Sequence, residues 1–214
     1  MNQEAIDYVL KTGRLPEHTH HEVEKWILEN MPKDVEGFHR RMAKHLWMVP
    51  NVPWIYAIVR DVMNKESIPL DVVDIGCNIG VGSIFFEDGQ YLGIDRRLPR
   101  TGAKDDSCPL NSFYNEGKPN ITYQIEAFPS KKLSRQIAGK TVVASMSLGL
   151  YKDKDSFEKY TKALSDTKHL FTCTTDELTQ MLKKHFPRHY HLSDHTETDP
   201  DYRTTRYPVT YFEL

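Results

Sequence analysis

The sequence predicts an α/β protein: a doubly wound, mostly parallel sheet over residues 69–214, preceded by a helical extension over residues 1–68. Three observations carry this. The run VVDIGCNIGVG (Val72 to Gly82) stops an apolar segment at an acid and follows it with a glycine-rich turn. A second apolar run, YLGID, ends on Asp95, 21 residues after Asp74. Apolar strand-like runs then alternate with helical patterns to the end of the chain, the signature of parallel βα units.

The first 68 residues show only helical spacing. Ala5, Ile6, Val9 and Leu10 form one apolar stripe, Val23, Trp26 and Ile27 a second, and Phe38, Met42 and Leu46 a third ending at Pro50. Ile55, Ile58, Val59 and Val62 make a fourth. Such narrow stripes bury little alone, so these helices are expected to pack on the sheet. Beyond Ile68-Pro69-Leu70 the pattern changes to strands. Between Gly80 and Gly89 there is room for a crossover of about two helical turns. After Asp95 the chain reads RRLPRTGAKDDSCPLNSFYNEGKPN, and its Pro and Gly residues predict a long loop with at most one helical turn. That loop either lids a ligand site or is a surface excursion.

ITYQIEAF (Ile121 to Phe128) reads as a third strand ending at Glu126-Ala127, and KTVVASMSLGLY (Lys140 to Tyr151) as a fourth. Phe157, Tyr160 and Leu164 fall at helical spacing before a fifth strand, HLFTCTT (His169 to Thr175). DELTQMLKKHF follows as a helix with Leu178, Met181, Leu182 and Phe186 on one face and Asp176 as its expected N-cap. Thr205 to Leu214 reads as a last strand, placed at a sheet edge because Pro208 cannot donate to a ladder.

In a parallel sheet both Asp74 and Asp95 lie at the carboxyl edge of neighbouring strands, where ligands bind. A carboxylate about 20 residues beyond a glycine turn suits a ribose diol. The spacing Gly76-x-x-x-Gly80-x-Gly82 fails the G-x-G-x-x-G dinucleotide fingerprint. It resembles motif I of the class I S-adenosylmethionine-dependent methyltransferases, a D-x-G-x-x-x-G pattern matched by Asp74, Gly76 and Gly80. Asn78 stands where that family often has glycine; asparagine reaches positive φ more readily than most residues.

The resemblance spans roughly residues 70–214 and implies S-adenosylmethionine as cofactor. It implies that Asp74, Gly76, Cys77, Asn78 and Gly80 serve the amino-acid tail and turn, that Asp95 accepts from the ribose hydroxyls, and that Glu126 and Ala127 meet the adenine edge; the alternatives are a strand-end acid capping the turn for Asp74 and a surface position for Glu126. Arg96 either flanks the adenine, pairs with a carboxylate or is solvated. Ser145 ends the fourth strand, at the reaction zone. The N-terminal helices are expected to cover the cofactor and shape the acceptor pocket. Cys77 reads as a small spacer, since nothing nearby lowers its thiol pKa.

The segment SMSLGLY lacks the Pro-Pro of amino-methylating nucleic-acid enzymes, and Cys108-Pro109 reverses the dipeptide of cytosine-C5 enzymes. Tyr151 remains a pocket candidate, its alternative being a core aromatic at a helix start. His195 and His191 are candidates for a general base, since imidazole titrates near neutral pH. Metal readings fail: HHEVEK has Lys25 where HExxH needs histidine, and Asp153 to Asp155 lacks the rest of a calcium loop.

A net charge of −2 excludes a global pull toward nucleic acid or membrane. No apolar run approaches the ~20 residues of a membrane span, and the first ten residues lack a signal-peptide pattern. Three scattered cysteines argue against a disulfide framework and for a cytoplasmic protein. Near-neutral charge and the helical extension favour methyl transfer to an N or O acceptor on a small molecule. Two alternatives stand. One is an RNA or DNA methyltransferase, suggested by the basic runs 39–45 and 96–104; the other is a cofactor-binding protein without turnover.

Overall fold

A computed structural model describes residues 1–30, 51–95, 113–145, 154–198 and 204–214, with only the backbone at 51, 154, 195–198 and 204–206. Its centre is a seven-stranded sheet of β1 (Asp71–Ile75), β2 (Gln90–Asp95), β3 (Ile121–Ile125), β4 (Thr141–Ser145), β5 (His169–Cys173), β6 (His189–Thr198) and β7 (Thr204–Glu213). The order across the sheet is β3-β2-β1-β4-β5-β7-β6. β1 pairs in parallel with both β2 and β4, and only β7 runs antiparallel to its neighbours. The chain reverses direction of growth between β1 and β4, and in open α/β sheets such a switch point leaves a crevice at the carboxyl edge.

Among the described residues six helices cover the two faces: α1 (Gln3–Thr12), α2 (Glu17–Asn30), α3 (Asn51–Lys65), α4 (Lys131–Ile137), α5 (Lys154–Leu164) and α6 (Asp176–His185). Alternation along β1 assigns the faces. Val72 joins Ile6 and Val9 of α1, Val23 and Ile27 of α2, and Val59 and Met63 of α3 in one buried cluster. Val73 and Ile75 point the other way, into a second cluster with Leu133 of α4, Phe157 and Tyr160 of α5, and Leu178 and Leu182 of α6. The predicted apolar stripes are therefore the buried faces wherever they are described; the stripe at Phe38, Met42 and Leu46 lies outside the described residues.

The crossover from β1 to β2 is shorter than the expected two turns. It is one 3-10 turn, Val81–Ile84, followed by Phe85 and Phe86, both fully buried. A side chain of α3 stabilises this short path. Arg60, itself buried, donates to the Phe85 carbonyl at 2.9 Å and grips Asp88 with two bonds of 2.6 and 2.7 Å. Aromatic rings occupy the space a longer helix would fill: Tyr56 stacks on Phe85 at 5.8 Å, and Phe86 on Tyr91 at 6.3 Å.

Two sequence expectations need correction. The N-cap of α6 is Thr175, not Asp176; its hydroxyl accepts from the Leu178 amide, and Asp176 becomes the first helical residue. β7 is not the edge strand, because β6 pairs along its outer side. Pro208 is tolerated because it lies one residue past Val209, the partner of Cys173 at the end of β5. No β5 residue therefore stands opposite the missing N–H.

Beyond Cys173 the β6–β7 ribbon continues, from Asp194↔Pro208 to Thr198↔Thr204, with no further strand paired to it among the described residues, and so projects past the carboxyl edge. Among the described residues no helix is long and apolar enough to cross a membrane.

Candidate functional site

The turn after β1 is built by three residues at positive φ: Gly76 at 79°, Asn78 at 54° and Gly80 at 86°. Asparagine thus takes the left-handed conformation that the sequence asked of it. The turn is bonded to the next strand. Gly76 and Cys77 both donate their amides to the Ile94 carbonyl, at 2.7 and 3.2 Å. The Asn78 amide donates to Asp95 Oδ2 at 2.9 Å. The bend after β1 and the carboxylate at the tip of β2 are therefore one hydrogen-bonded unit, with Gly76, Asn78 and Asp95 partly exposed.

Asp74 sits differently. It is fully buried, on the sheet face that carries Val72, and its Oδ2 accepts from the hydroxyls of Tyr56 and Tyr91, each at 2.7 Å. Oδ1 has no hydrogen-bond partner among the described residues. Burial pushes the carboxyl up to about 6, while the two hydroxyls pull it down. A Cβ on Gly82 would lie 2.6 Å from Asp74 Oδ2 and 2.8 Å from the Tyr56 ring, so the third glycine of the run makes room for this pair.

Cys77 is buried, and burial raises its thiol pKa well above the ordinary value. A buried thiol held protonated is a poor nucleophile. Tyr123 of β3 packs beneath the turn, stacked on Phe113 at 4.4 Å, and donates its hydroxyl to the Tyr114 carbonyl.

Glu126 follows β3, one residue later than that strand ends, and its amide donates to the Asp95 carbonyl at 2.9 Å. Its carboxylate accepts from Ser130, the N-cap of α4, at 2.6 Å and lies 3.5 Å from Lys132. Ala127 beside it is exposed, and Ser145, partly exposed, closes β4 opposite Cys173.

His191 and His195 lie on the outermost strand. Four inter-strand steps separate β6 from β1, a lateral offset of about 19 Å. His191 lies 3.4 Å from Asp194 and is about half exposed. His195 pairs with Tyr207 on the projecting ribbon, past the end of β5. Tyr151, Arg96 and both basic runs lie outside the described residues. Among those described, no group of three or more His, Cys, Asp or Glu could hold a metal ion.

Tyr56 and Tyr91 are the site residues that sequence reasoning missed. A signal for Tyr91 was present: it lies two residues before Gly93, the register partner of Asp74, and so shares its face. A buried acid needs donors, and a tyrosine on the same face of the next strand supplies one.

The cofactor implied by the sequence can be tested against this geometry. A partly exposed carboxylate at the β2 tip suits the two hydroxyls of a ribose. At the partly exposed Gly76 the left-handed turn has no Cβ to bar the close approach of an amino-acid tail, while the space beside Gly80 is filled by Tyr123. The residues fit S-adenosylmethionine.

No protein-family model matches the sequence, and no curated protein does. Solved structures do share its fold. One is the bifunctional kinase-methyltransferase WbdD, 11% identical with a TM-score of 0.54, over 74% of this chain and 38% of that one. The chain thus spans well under half of WbdD. Another is the N-terminal domain of EvdMO1 with SAH bound, 11% identical with a TM-score of 0.52, over 75% of this chain and 81% of that one. Together with the strand order, they show that the fold is that of the class I S-adenosylmethionine-dependent methyltransferases.

Proposed function

We propose that the chain is an S-adenosylmethionine-dependent methyltransferase acting on an N or O atom of a small molecule. The observation that carries this is the Asn78 amide bonded to Asp95 Oδ2 at 2.9 Å. It fixes a glycine-lined bend and a ribose-binding carboxylate as one unit at the switch point of the sheet. The SAH bound to the EvdMO1 domain of the same fold supports the choice of ligand.

In this reading Asp95 accepts from the ribose hydroxyls, and Gly76, Asn78 and Gly80 form the floor under the amino-acid tail. The charge of Asp74 lies beneath that floor. Glu126 and Ala127 border the adenine end, and Ser145 faces the reaction zone. The N-terminal helices α1, α2 and α3 serve as a cap over the cofactor pocket of the domain 69–214. The cofactor supplies a methyl group on an activated sulfonium, so the chain's task is to bind, orient and exclude water. A base is needed only for an acceptor that must lose its proton; His195, on the ribbon past the carboxyl edge, is the candidate.

Incubation of the protein with an extract and methyl-labelled S-adenosylmethionine tests the reading. Label in the small-molecule fraction is expected. Label in RNA or DNA, with binding that weakens steeply in salt, would replace the small-molecule acceptor by a nucleic acid. No label in any fraction would refute turnover.

A further inference from the structure

We propose that Tyr56 and Tyr91 are positioning residues for the cofactor: by donating to the same oxygen of Asp74 they hold that carboxylate ionised and fixed under the turn, and Tyr56 thereby makes α3 part of the cofactor site. The inference rests on the methyltransferase reading and adds to it a role for residues outside the glycine turn.

The geometry gives two independent grounds. First, two phenols from different elements, one on α3 and one on β2, converge on Asp74 Oδ2 at 2.7 Å each, at a residue with no solvent exposure. The sheet core has no need of a carboxylate there; an apolar side chain would be cheaper at a position walled by aromatic rings. Second, the surrounding chain makes room for the pair. Gly82 has no Cβ to strike Oδ2 and the Tyr56 ring, and Tyr56 is held in place by Phe85 and Phe86. Asp74 is also only two residues from Gly76, the first glycine of the turn. An ionised Asp74 places a negative charge under the cationic amino group of the ligand's tail, in a medium of low dielectric where it counts most.

The titratable groups facing Asp74 are Tyr56 from α3, Tyr91 and Asp95 from β2, Cys77 from the turn and Tyr123 from β3. The three tyrosines and Cys77 are all raised above their ordinary values by burial, so none of them titrates between pH 5 and 8. Each hydroxyl stabilises the charged form of Asp74. Losing one therefore moves the carboxyl's midpoint upward, by about one to two pH units for a hydrogen bond to a charged acceptor.

The test is calorimetric titration of S-adenosylhomocysteine from pH 5 to 8 into wild type, Tyr56→Phe, Tyr91→Phe and Asp74→Asn. Wild-type affinity should fall as pH drops through about 6. In either Phe variant that fall should begin at higher pH, leaving affinity at pH 7 about two- to tenfold weaker. Asp74→Asn should bind weakly with no such step, which separates Asp74 from Asp95. The Phe variants keep the ring and its packing; if one fails to fold, the other carries the test. Wild-type affinity and an unmoved pH profile in the Phe variants would overturn the inference while leaving the methyltransferase reading intact. No binding by wild type at any pH would overturn both.

Discussion

Arg60→Met is the perturbation that best tests how this fold manages with so short a crossover. Methionine keeps most of the buried stem but removes the guanidinium. The Phe85 carbonyl loses its donor in a buried position, which costs about 1–3 kcal/mol. The Asp88 pair is half exposed on the acid side, so its loss adds no more than about 1 kcal/mol. With the bond from Nε to Asn64 at 3.0 Å also gone, the total is about 2–4 kcal/mol. For a chain of this size that lowers Tm by about 4–16 °C. Urea denaturation followed by circular dichroism measures it, with Asp88→Asn as the comparator, expected to cost about 1 kcal/mol or less. The Arg60 hydrogen bond lowers the Asp88 pKa below its ordinary 3.8. That stabilisation is present above pH 3.8 and is lost as pH falls through the lower folded value, so the gap between wild type and Asp88→Asn should shrink in acid. An Arg60→Met protein no less stable than Asp88→Asn would refute the claim that this side chain holds the 85–88 turn in place.

Three other outcomes follow from the site. The folded pKa of Asp74, about 6, lies above its ordinary 3.8. The native state therefore holds a proton that the unfolded chain has released, and the stability this brings is full below pH 3.8 and lost as pH rises through about 6. Relative to Asp74→Asn, wild type should lose up to about 3 kcal/mol between pH 4 and 7; parallel stability curves would contradict this. Gly82→Ala should destabilise by about 1–3 kcal/mol and disturb the Tyr56–Asp74 contact, read by denaturation and by tyrosine absorbance. Asp95→Ala should leave the fold in place, seen as an unchanged far-ultraviolet spectrum, because the turn keeps both of its bonds to the Ile94 carbonyl.

Most strands and helices were legible because their side chains obey one period or the other. Val72 to Ile75 is a short apolar run bounded by Asp71 and a glycine turn, and β5 is buried at every residue. The helical stripes of α3, α5 and α6 are their buried faces. β6 was not legible. It is an edge strand whose His189, Tyr190 and His191 meet solvent to varying degrees, so hydrophobic alternation has little to act on. The edge position expected of β7 fails for the same reason, since Pro208 marks an edge only where no strand lies beyond it, and β6 does.

At the site, the turn conformation was readable from Gly76, Asn78 and Gly80, and the burial of Asp74 was not. Nothing local in VVDIGCNIG distinguishes an acid facing a ligand from one turned into the core. That distinction depends on Tyr56, 18 residues earlier on a different element. Long-range donors to a buried carboxylate follow from the packing of α3 on the sheet, which periodicity predicts only as a face and never as a contact.

The most direct test of the central claim is calorimetry of wild type and Asp95→Ala with S-adenosylmethionine, S-adenosylhomocysteine and NAD at pH 7.5. Micromolar binding of the first two, none of NAD, and an affinity weaker by about 1–3 kcal/mol in Asp95→Ala are expected. Absence of heat with both sulfur nucleosides, or undiminished affinity without the Asp95 carboxylate, would contradict it.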